Sequence, residues 1–287
     1  MNSANTKLII FGATGLVGSN LLNKLNEKNF VTFAPERSLV NLFDFQTVSD
    51  YINKISPDFV INCAGKVGGI AINNDNHNEF FNKNLDIGRN IIDACNQNSI
   101  KNLINLGSSC MYPSNIPDRT LKEKDILSGP FEQTNEGYAL AKVSVFKLCQ
   151  YSNQKNGTNF KTFIPCNLYG PNDKFDKYTA HLIPAIINKV HDAKINNKKE
   201  IEIWGSGVVR REFMFSEDLA DFIIFAIKNW FKIPEVVNVG MGQDYSVNYY
   251  YEKISEILDW SGSFKHNKMK PEGIYNKLMN TDIINKL

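Results

Sequence analysis

The sequence predicts an α/β protein: a Rossmann-type doubly wound parallel sheet with a smaller α/β lobe for substrate. Three observations predict it. Short apolar runs alternate with segments of helical period from Lys7 to Pro165. The first of these runs leads at once into Gly12-Ala13-Thr14-Gly15-Leu16-Val17-Gly18. After Gly170-Pro171 the alternation gives way to shorter elements.

The elements read in order. Residues 7–11 form an apolar strand, the glycine-rich turn follows, and 16–26 have helical spacing. Residues 30–34 are a second strand, and 48–55 a helix that stops before Pro57. Residues 59–63 form a third strand closing on Ala64-Gly65. A long helix covers 79–98, apolar at Phe80, Leu85, Ile91, Ile92 and Ala94. The strand 102–106 runs into Gly107-Ser108-Ser109, and a second long helix covers 136–154. The strand 162–165 ends at Cys166-Asn167. Beyond Gly170, 181–193 is helical, 200–204 a strand, 211–215 extended, 216–229 a helix with Ser216 as N-cap, 236–239 a strand and 248–258 a helix. Residues 1–170 plus 216–240 are expected to form the dinucleotide-binding domain. Residues 171–215 plus 241–287 are expected to form the smaller lobe.

Composition excludes several classes. The chain of 287 residues carries a net charge of +2, so no nucleic-acid footprint is expected. No apolar run approaches the roughly 20 residues that cross a bilayer, and residues 1–7 show no charged-then-apolar signal segment. Cys63, Cys95, Cys110, Cys149 and Cys166 are odd in number and lack metal-ligand spacing. They read as reduced thiols of a cytoplasmic protein with no metal.

The turn holding Gly12, Thr14, Gly15, Leu16, Val17 and Gly18 follows a strand and opens a helix. Glycines there permit close backbone approach, and the helix N-terminus favours a pyrophosphate. After the second strand come Glu36, Arg37 and Ser38, so both signs are present. Arg37 and Ser38 suit the 2′-phosphate of NADP; Glu36 suits the free hydroxyl of NAD; a solvated turn suits neither. NADP(H) is the expected cofactor, with Leu42 near the adenine.

Tyr138 and Lys142 stand at i and i+4 and share a helical face. A lysine cation beside a phenol of reference pKa ~10 favours the phenolate. Lys142 also suits the nicotinamide ribose. Ser108 ends a strand, where open α/β sheets hold ligands, and its hydroxyl suits a substrate carbonyl. Cys110 lies two residues on, placed to remove a proton beside a ketone; His181, opening the small-lobe helix, is the candidate acid on the opposite face. Cys63, Cys95, Cys149 and Cys166 read as inert core, and His77, His191 and His266 as surface residues. Lys189, Trp204, Arg211 and Lys277 supply cations and an apolar wall for a nucleoside diphosphate. Arg210 reads as a surface charge.

Taken together, Cys63-Ala64-Gly65-Lys66-Val67-Gly68-Gly69-Ile70, Leu106-Gly107-Ser108-Ser109-Cys110-Met111-Tyr112-Pro113, Tyr138-Ala139-Leu140-Ala141-Lys142, Pro165-Cys166-Asn167-Leu168-Tyr169-Gly170-Pro171 and Trp204-Gly205-Ser206-Gly207 carry a resemblance. From about Lys7 to Lys277 the chain resembles the GDP-L-fucose synthase family of extended short-chain dehydrogenase/reductases. The resemblance implies reduction of the C4 ketone of a GDP-linked 4-keto sugar by Ser108, Tyr138 and Lys142. It implies 3,5-epimerisation by Cys110 and His181. Ala64, Gly65, Pro165, Asn167, Leu168 and His181 would line the cofactor, and Ser109, Asn167, Leu182, Ile186, Lys189, Trp204, Arg211 and Lys277 the substrate. It also implies a homodimer through helices 79–98 and 136–154. A second reading keeps C4 reduction, on a GDP-4-keto-heptose, and leaves Cys110 and His181 unused for epimerisation. Four positions depart from the family pattern: Thr14 and Lys189 where arginines are found, Asn280 where an aspartate is usual, and an end at Leu287 that suggests truncation.

Overall fold

A computed structural model describes residues 5–116, 120–176, 180–270 and 273–287. The first half runs β1 (Lys7–Phe11), α1 (Leu16–Glu27), β2 (Val31–Phe33), α2 (Phe45–Ile55), β3 (Phe59–Asn62), α3 (Ile70–Asp75), α4 (His77–Gln97), β4 (Asn102–Leu106), α5 (Glu136–Asn156) and β5 (Asn159–Pro165). The second half runs β6 (Asn167–Tyr169), α6 (Leu182–Ile195), β7 (Glu200–Trp204), β8 (Arg210–Arg211), β9 (Phe213–Phe215), α7 (Ser216–Lys228), β10 (Val236–Val239), β11 (Tyr245–Ser246), α8 (Val247–Ile257) and β12 (Ser263–Asn267).

Six strands pair in parallel in the order β10-β5-β4-β3-β1-β2. The central strands are covered on both faces: Leu8, Ile9, Ile10 and Phe11 are all buried, as is every residue of β3. The side-chain period of two sends Leu8 and Ile10 to one face and Ile9 and Phe11 to the other. Leu21, Leu25, Leu219, Ile223 and Trp230 cover the first face; Ile52, Ile91, Cys95 and Cys149 cover the second. Fully burying each such aliphatic side chain contributes about 1.5–3 kcal/mol. From β1 the chain moves to β2 on one side, then to β3 on the other. That reversal opens a crevice at the carboxyl ends of β1 and β3.

The smaller lobe has its own core, formed by Ile186 and Val190 of α6, Ile201 and Ile203 of β7, and Val247 and Tyr251 of α8. β12 pairs with β7 there, whereas β10 sits at the edge of the main sheet. Residues 279–287 do not belong to this lobe, contrary to the sequence expectation. Met279, Ile283, Ile284 and Leu287 pack on the main core instead.

Several boundaries differ from the sequence reading for local reasons. β5 begins at Asn159, because Lys161 is buried within it: its ammonium donates to the Ile233 carbonyl and lies 4.8 Å from the Trp230 ring centre. The helix 79–98 begins at His77, and 136–154 extends to Asn156. Ser216 is the first helical residue of α7, not its cap. Phe215 takes the cap position, and the buried Ser216 hydroxyl accepts from Asn20 Nδ2 at 3.0 Å. α8 is capped by Ser246, whose hydroxyl accepts from Tyr249 N. Among the described residues no helix is long and apolar enough to cross a membrane, and no group of His, Cys, Asp and Glu could hold a metal.

Candidate active site

The glycines at the crevice have different physical roles. Gly12 has φ +81°, and a Cβ there would lie 2.6 Å from Ala64 N. A Cβ on Gly18 would lie 2.2 Å from Gly12 O. Both let backbones touch. Gly15 is exposed and caps α1 with no side-chain bond; a Cβ there would meet only Gly12 O, at 3.5 Å. Thr14, Gly15, Leu16 and Val17 thus leave an open helix N-terminus that fits a pyrophosphate. Arg37 and Ser38 are exposed beyond β2. Leu42 is half-buried, and its carbonyl accepts from Asn90 Nδ2 at 2.9 Å. Gly65 borders the catalytic side: a Cβ there would lie 3.7 Å from Lys142 Nζ and 2.8 Å from Asn84 Oδ1. Asn84 holds this loop by accepting from Lys66 N and donating to Lys66 O, each at 3.0 Å.

Beyond β4 the chain turns through a 3-10 segment, Ser109–Met111, anchored by the wholly buried Met111. Ser108 Oγ accepts from Cys110 N at 3.2 Å, and Ser108 acts to lower the Tyr138 phenol in the first turn of α5. Lys142, one turn on, is buried and donates to the Leu106 carbonyl at 2.9 Å. Its ammonium lies 5.7 Å from the Tyr138 ring centre. Burial pulls Lys142 down to about 8, opposed by Cys63 and Cys110. Burial and then the Cys110 charge push Tyr138 above its ordinary range, against the Ser108 hydrogen bond. Burial thus acts on this phenol against the lowering expected from the neighbouring lysine.

Cys110 is partly exposed, and Lys277 Nζ donates to its sulfur at 3.6 Å. Arg211 Nη1 donates to the Arg210 and Ile274 carbonyls, each at 2.7 Å. Burial lowers Arg211, while Cys110 and Glu132 oppose that shift. His181 caps α6 and is lowered by burial, with Asp173 opposing. A Cβ on Gly69 would lie 3.8 Å from Ala180 O, so the 66–70 loop borders His181. A cavity of about 300 Å³ opens alongside, between Tyr169, Asp173, Phe175, Ile183, Ile187 and Phe215.

Other expected residues sit as follows. Asn167 and Leu168 are half-buried, and Asn167 Nδ2 donates to the Glu212 carbonyl at 2.9 Å. Pro165 and Ser109 are buried. Leu182 packs on the small-lobe core. Ile186 is wholly inside that core, so it supports the site from beneath rather than lining it, contrary to expectation. Lys189 Nζ donates to the Glu202 carbonyl at 3.1 Å and Tyr251 OH at 3.2 Å. It also lies 5.5 Å from the half-exposed Trp204 ring, which Lys270 approaches at 5.1 Å. Arg210 is no free surface charge: its Nε donates to Asp244 Oδ1 at 2.8 Å. Cys63 is half-buried beside Lys142 and is pushed up to about 12 by burial. Cys95, Cys149 and Cys166 are buried. The sequence reading passed over Asn84, Asp173, Glu212 and Lys270; the acidic residue directly after Arg211 was the one visible signal among them.

Residues 8–240 match the family described as NAD dependent epimerase/dehydratase. The chain belongs to this family. Within it, GDP-L-colitose synthase of Yersinia pseudotuberculosis is 44% identical over 281 residues, 98% of this chain and 91% of that protein. GDP-L-fucose synthase of Azorhizobium caulinodans is 43% identical over 95% of this chain and 87% of that protein. The solved GDP-mannoheptose C4 reductase from Campylobacter jejuni with NADP bound superposes with a TM-score of 0.89 at 30% identity, covering 99% of this chain and 93% of that one. The epimerase/dehydratase match ends at Gly240, so Lys277 lies beyond it. The likeness to the two synthases extends over nearly the whole chain.

Proposed function

We propose that the protein reduces the C4 ketone of a GDP-linked 4-keto sugar using NADP(H), and epimerises C3 and C5 beforehand. One observation carries the reading. Ser108, the Tyr138 phenol, a buried Lys142 that donates to the Leu106 carbonyl and the sulfur of Cys110 lie together at the end of β4. The names of the two synthases support the sugar nucleotide, and the NADP-bound reductase supports the cofactor.

When bound, NADP(H) would supply the hydride that reduces the C4 ketone. Tyr138, held as a phenol, gives its proton to the C4 oxygen while Ser108 donates a hydrogen bond to that oxygen. Lys142 remains a cation beside the developing phenolate. In epimerisation, Cys110 takes the proton from C3 or C5, each acidified by the neighbouring ketone. His181 delivers one to the opposite face, which inverts the centre. Arg211, Lys277 and Lys189 hold the diphosphate, and Trp204 stacks on the base. Thr14, Gly15, Leu16, Arg37 and Ser38 hold the cofactor phosphates.

The reading includes a cytoplasmic homodimer through α4 and α5, supported by exposed Leu140 and Tyr151 on α5. Reduction without epimerisation is the second reading, favoured by the likeness to the C4 reductase. Loss of NADPH absorbance with a GDP-4-keto hexose or heptose tests the whole proposal, and no loss with any of them sinks it. Incubation in D2O with NADP⁺ in place of NADPH separates the two readings. Label at C3 and C5 by NMR supports epimerisation; label at neither leaves reduction alone.

A further inference from the structure

Glu212 does no chemistry in this mechanism, yet it is the most enclosed carboxyl of the site. It is wholly buried, between Arg211 and Phe213. Its Oε1 accepts from Met241 N at 2.5 Å and Gly242 N at 2.7 Å. Its Oε2 accepts from Met279 N at 2.9 Å. A buried carboxyl is costly unless its lone pairs are met, and three backbone donors meet them here. Gly240 makes the room: a Cβ there would lie 2.6 Å from Oε1 and 3.0 Å from Met279 Cβ.

The backbone of Glu212 joins the same elements. Its carbonyl accepts from Asn167 Nδ2. Arg210 N donates to the Tyr275 carbonyl at 2.8 Å, and Arg211 Nη1 to the Ile274 carbonyl. One residue past Lys277, the Leu278 carbonyl accepts from Leu121 N at 2.8 Å, and Asn280 N donates to Leu121 O at 2.9 Å. Segment 274–280 is therefore a strap laid across β8. The Glu212 carboxyl anchors it at the Met279 amide, and Asn238 Nδ2 donates to the next carbonyl, Asn280 O, at 3.2 Å. Two residues before Met279, Lys277 reaches Cys110.

We infer that Glu212 is a positioning residue: it pins the strap at Met279 so that Lys277 and Arg211 converge on one anionic ligand, the diphosphate, beside Cys110. This rests on the nucleoside-diphosphate-sugar reading of the cleft. The carboxyl touches neither ligand. Its effect passes through the register of the strap. Glu212→Gln keeps the shape but turns one acceptor into a donor facing an N–H, so the Met279 bond is lost.

Two measurements test it on the full chain. Backbone hydrogen exchange should show the Met279 and Gly242 amides protected together in the wild type. In Glu212→Gln, exchange across 273–282 should rise about tenfold or more, with β1–β5 unchanged. GDP affinity should fall about tenfold (about 1.4 kcal/mol) and NADPH affinity should hold within about twofold. Lys277→Met should weaken GDP binding on its own, but add little in the Glu212→Gln background, because both act through one contact. Additive losses, or a loosened strap with unchanged GDP affinity, overturn the positioning role. If Glu212→Gln does not fold, the wild-type measurement still decides: a Met279 amide exchanging like a free loop amide overturns the pin. A wild-type protein with protected Met279 that fails to bind GDP sinks the sugar-nucleotide reading instead, not the pin.

Discussion

Lys277 Nζ reaches Cys110 Sγ across 3.6 Å although 167 residues separate them. The strap that carries Lys277 lies beyond the end of the family match at Gly240. In the proposed mechanism this one cation serves both the diphosphate and the edge of the epimerisation centre. Lys277→Met is expected to raise KM for a GDP-4-keto sugar about tenfold, the loss of one charge-assisted contact. It should slow deuterium exchange at C3 and C5 more than reduction of an already epimerised sugar. Steady-state kinetics beside NMR exchange rates would check this, and equal slowing of both would refute it.

Tyr138 and Cys110 share a cluster but act on different atoms in the proposed mechanism. Tyr138→Phe removes the proton donor to the C4 oxygen and is expected to cut reduction by about 10²–10⁴-fold. Exchange at C5 should stay measurable, since Cys110 keeps its place through the Ser108 hydroxyl. Cys110→Ser should do the reverse, abolishing exchange and sparing reduction of an epimerised sugar. Parallel loss in either variant would show that the two chemistries are not separable.

The buried Lys142 makes a pH prediction. Its folded value of about 8 lies below the ordinary lysine range. The ammonium that stands beside Tyr138 is lost as pH rises through about 8, so kcat/KM for reduction should decline above that pH. Stability runs the other way. Between about 8 and the unfolded value of ~10.4 the unfolded chain binds more protons, so stability rises with pH across that window. Below about 8 the cost of burying the charge is present in full. Urea unfolding of wild type and Lys142→Met from pH 7 to 10.5 would check the sign. A variant with the same slope as wild type removes Lys142 as the source.

Much of this was legible in the sequence because it is written in local pattern. The runs of β1, β3 and β4, the glycine turn and the Tyr138–Lys142 spacing each lie within one element or its cap. What escaped the sequence depends on distant partners. Lys161 hides a strand start because its ammonium finds the Ile233 carbonyl, 72 residues away. The resemblance implies Ile186 as a lining residue, yet the lobe closes over it completely. Glu212 carries no local signal of its role; only folding brings Met241, Gly242 and Met279 to it. Tyr138 shows the same limit in chemistry: spacing places the lysine, but burial pushes the phenol in the opposite direction.

Gly12 and Gly15 of the cofactor turn should respond differently to one added methyl. At Gly12 a Cβ meets the Ala64 backbone at 2.6 Å, and φ is +81°, which disfavours any side chain. Gly12→Ala is expected to destabilise the fold by about 1–3 kcal/mol through strain and overpacking, seen as a lower urea midpoint. At Gly15 the nearest atom to a Cβ is Gly12 O at 3.5 Å, an ordinary contact, and no positive φ is required. Gly15→Ala should keep the midpoint nearly unchanged, since alanine only weakens the cap of α1. Its methyl instead points into the space above the helix N-terminus, and NADPH affinity should fall about tenfold or more. Calorimetric titration with NADPH, run beside urea melts, separates the effects. A Gly15→Ala protein that binds NADPH like wild type would mean that the pyrophosphate does not lie over α1.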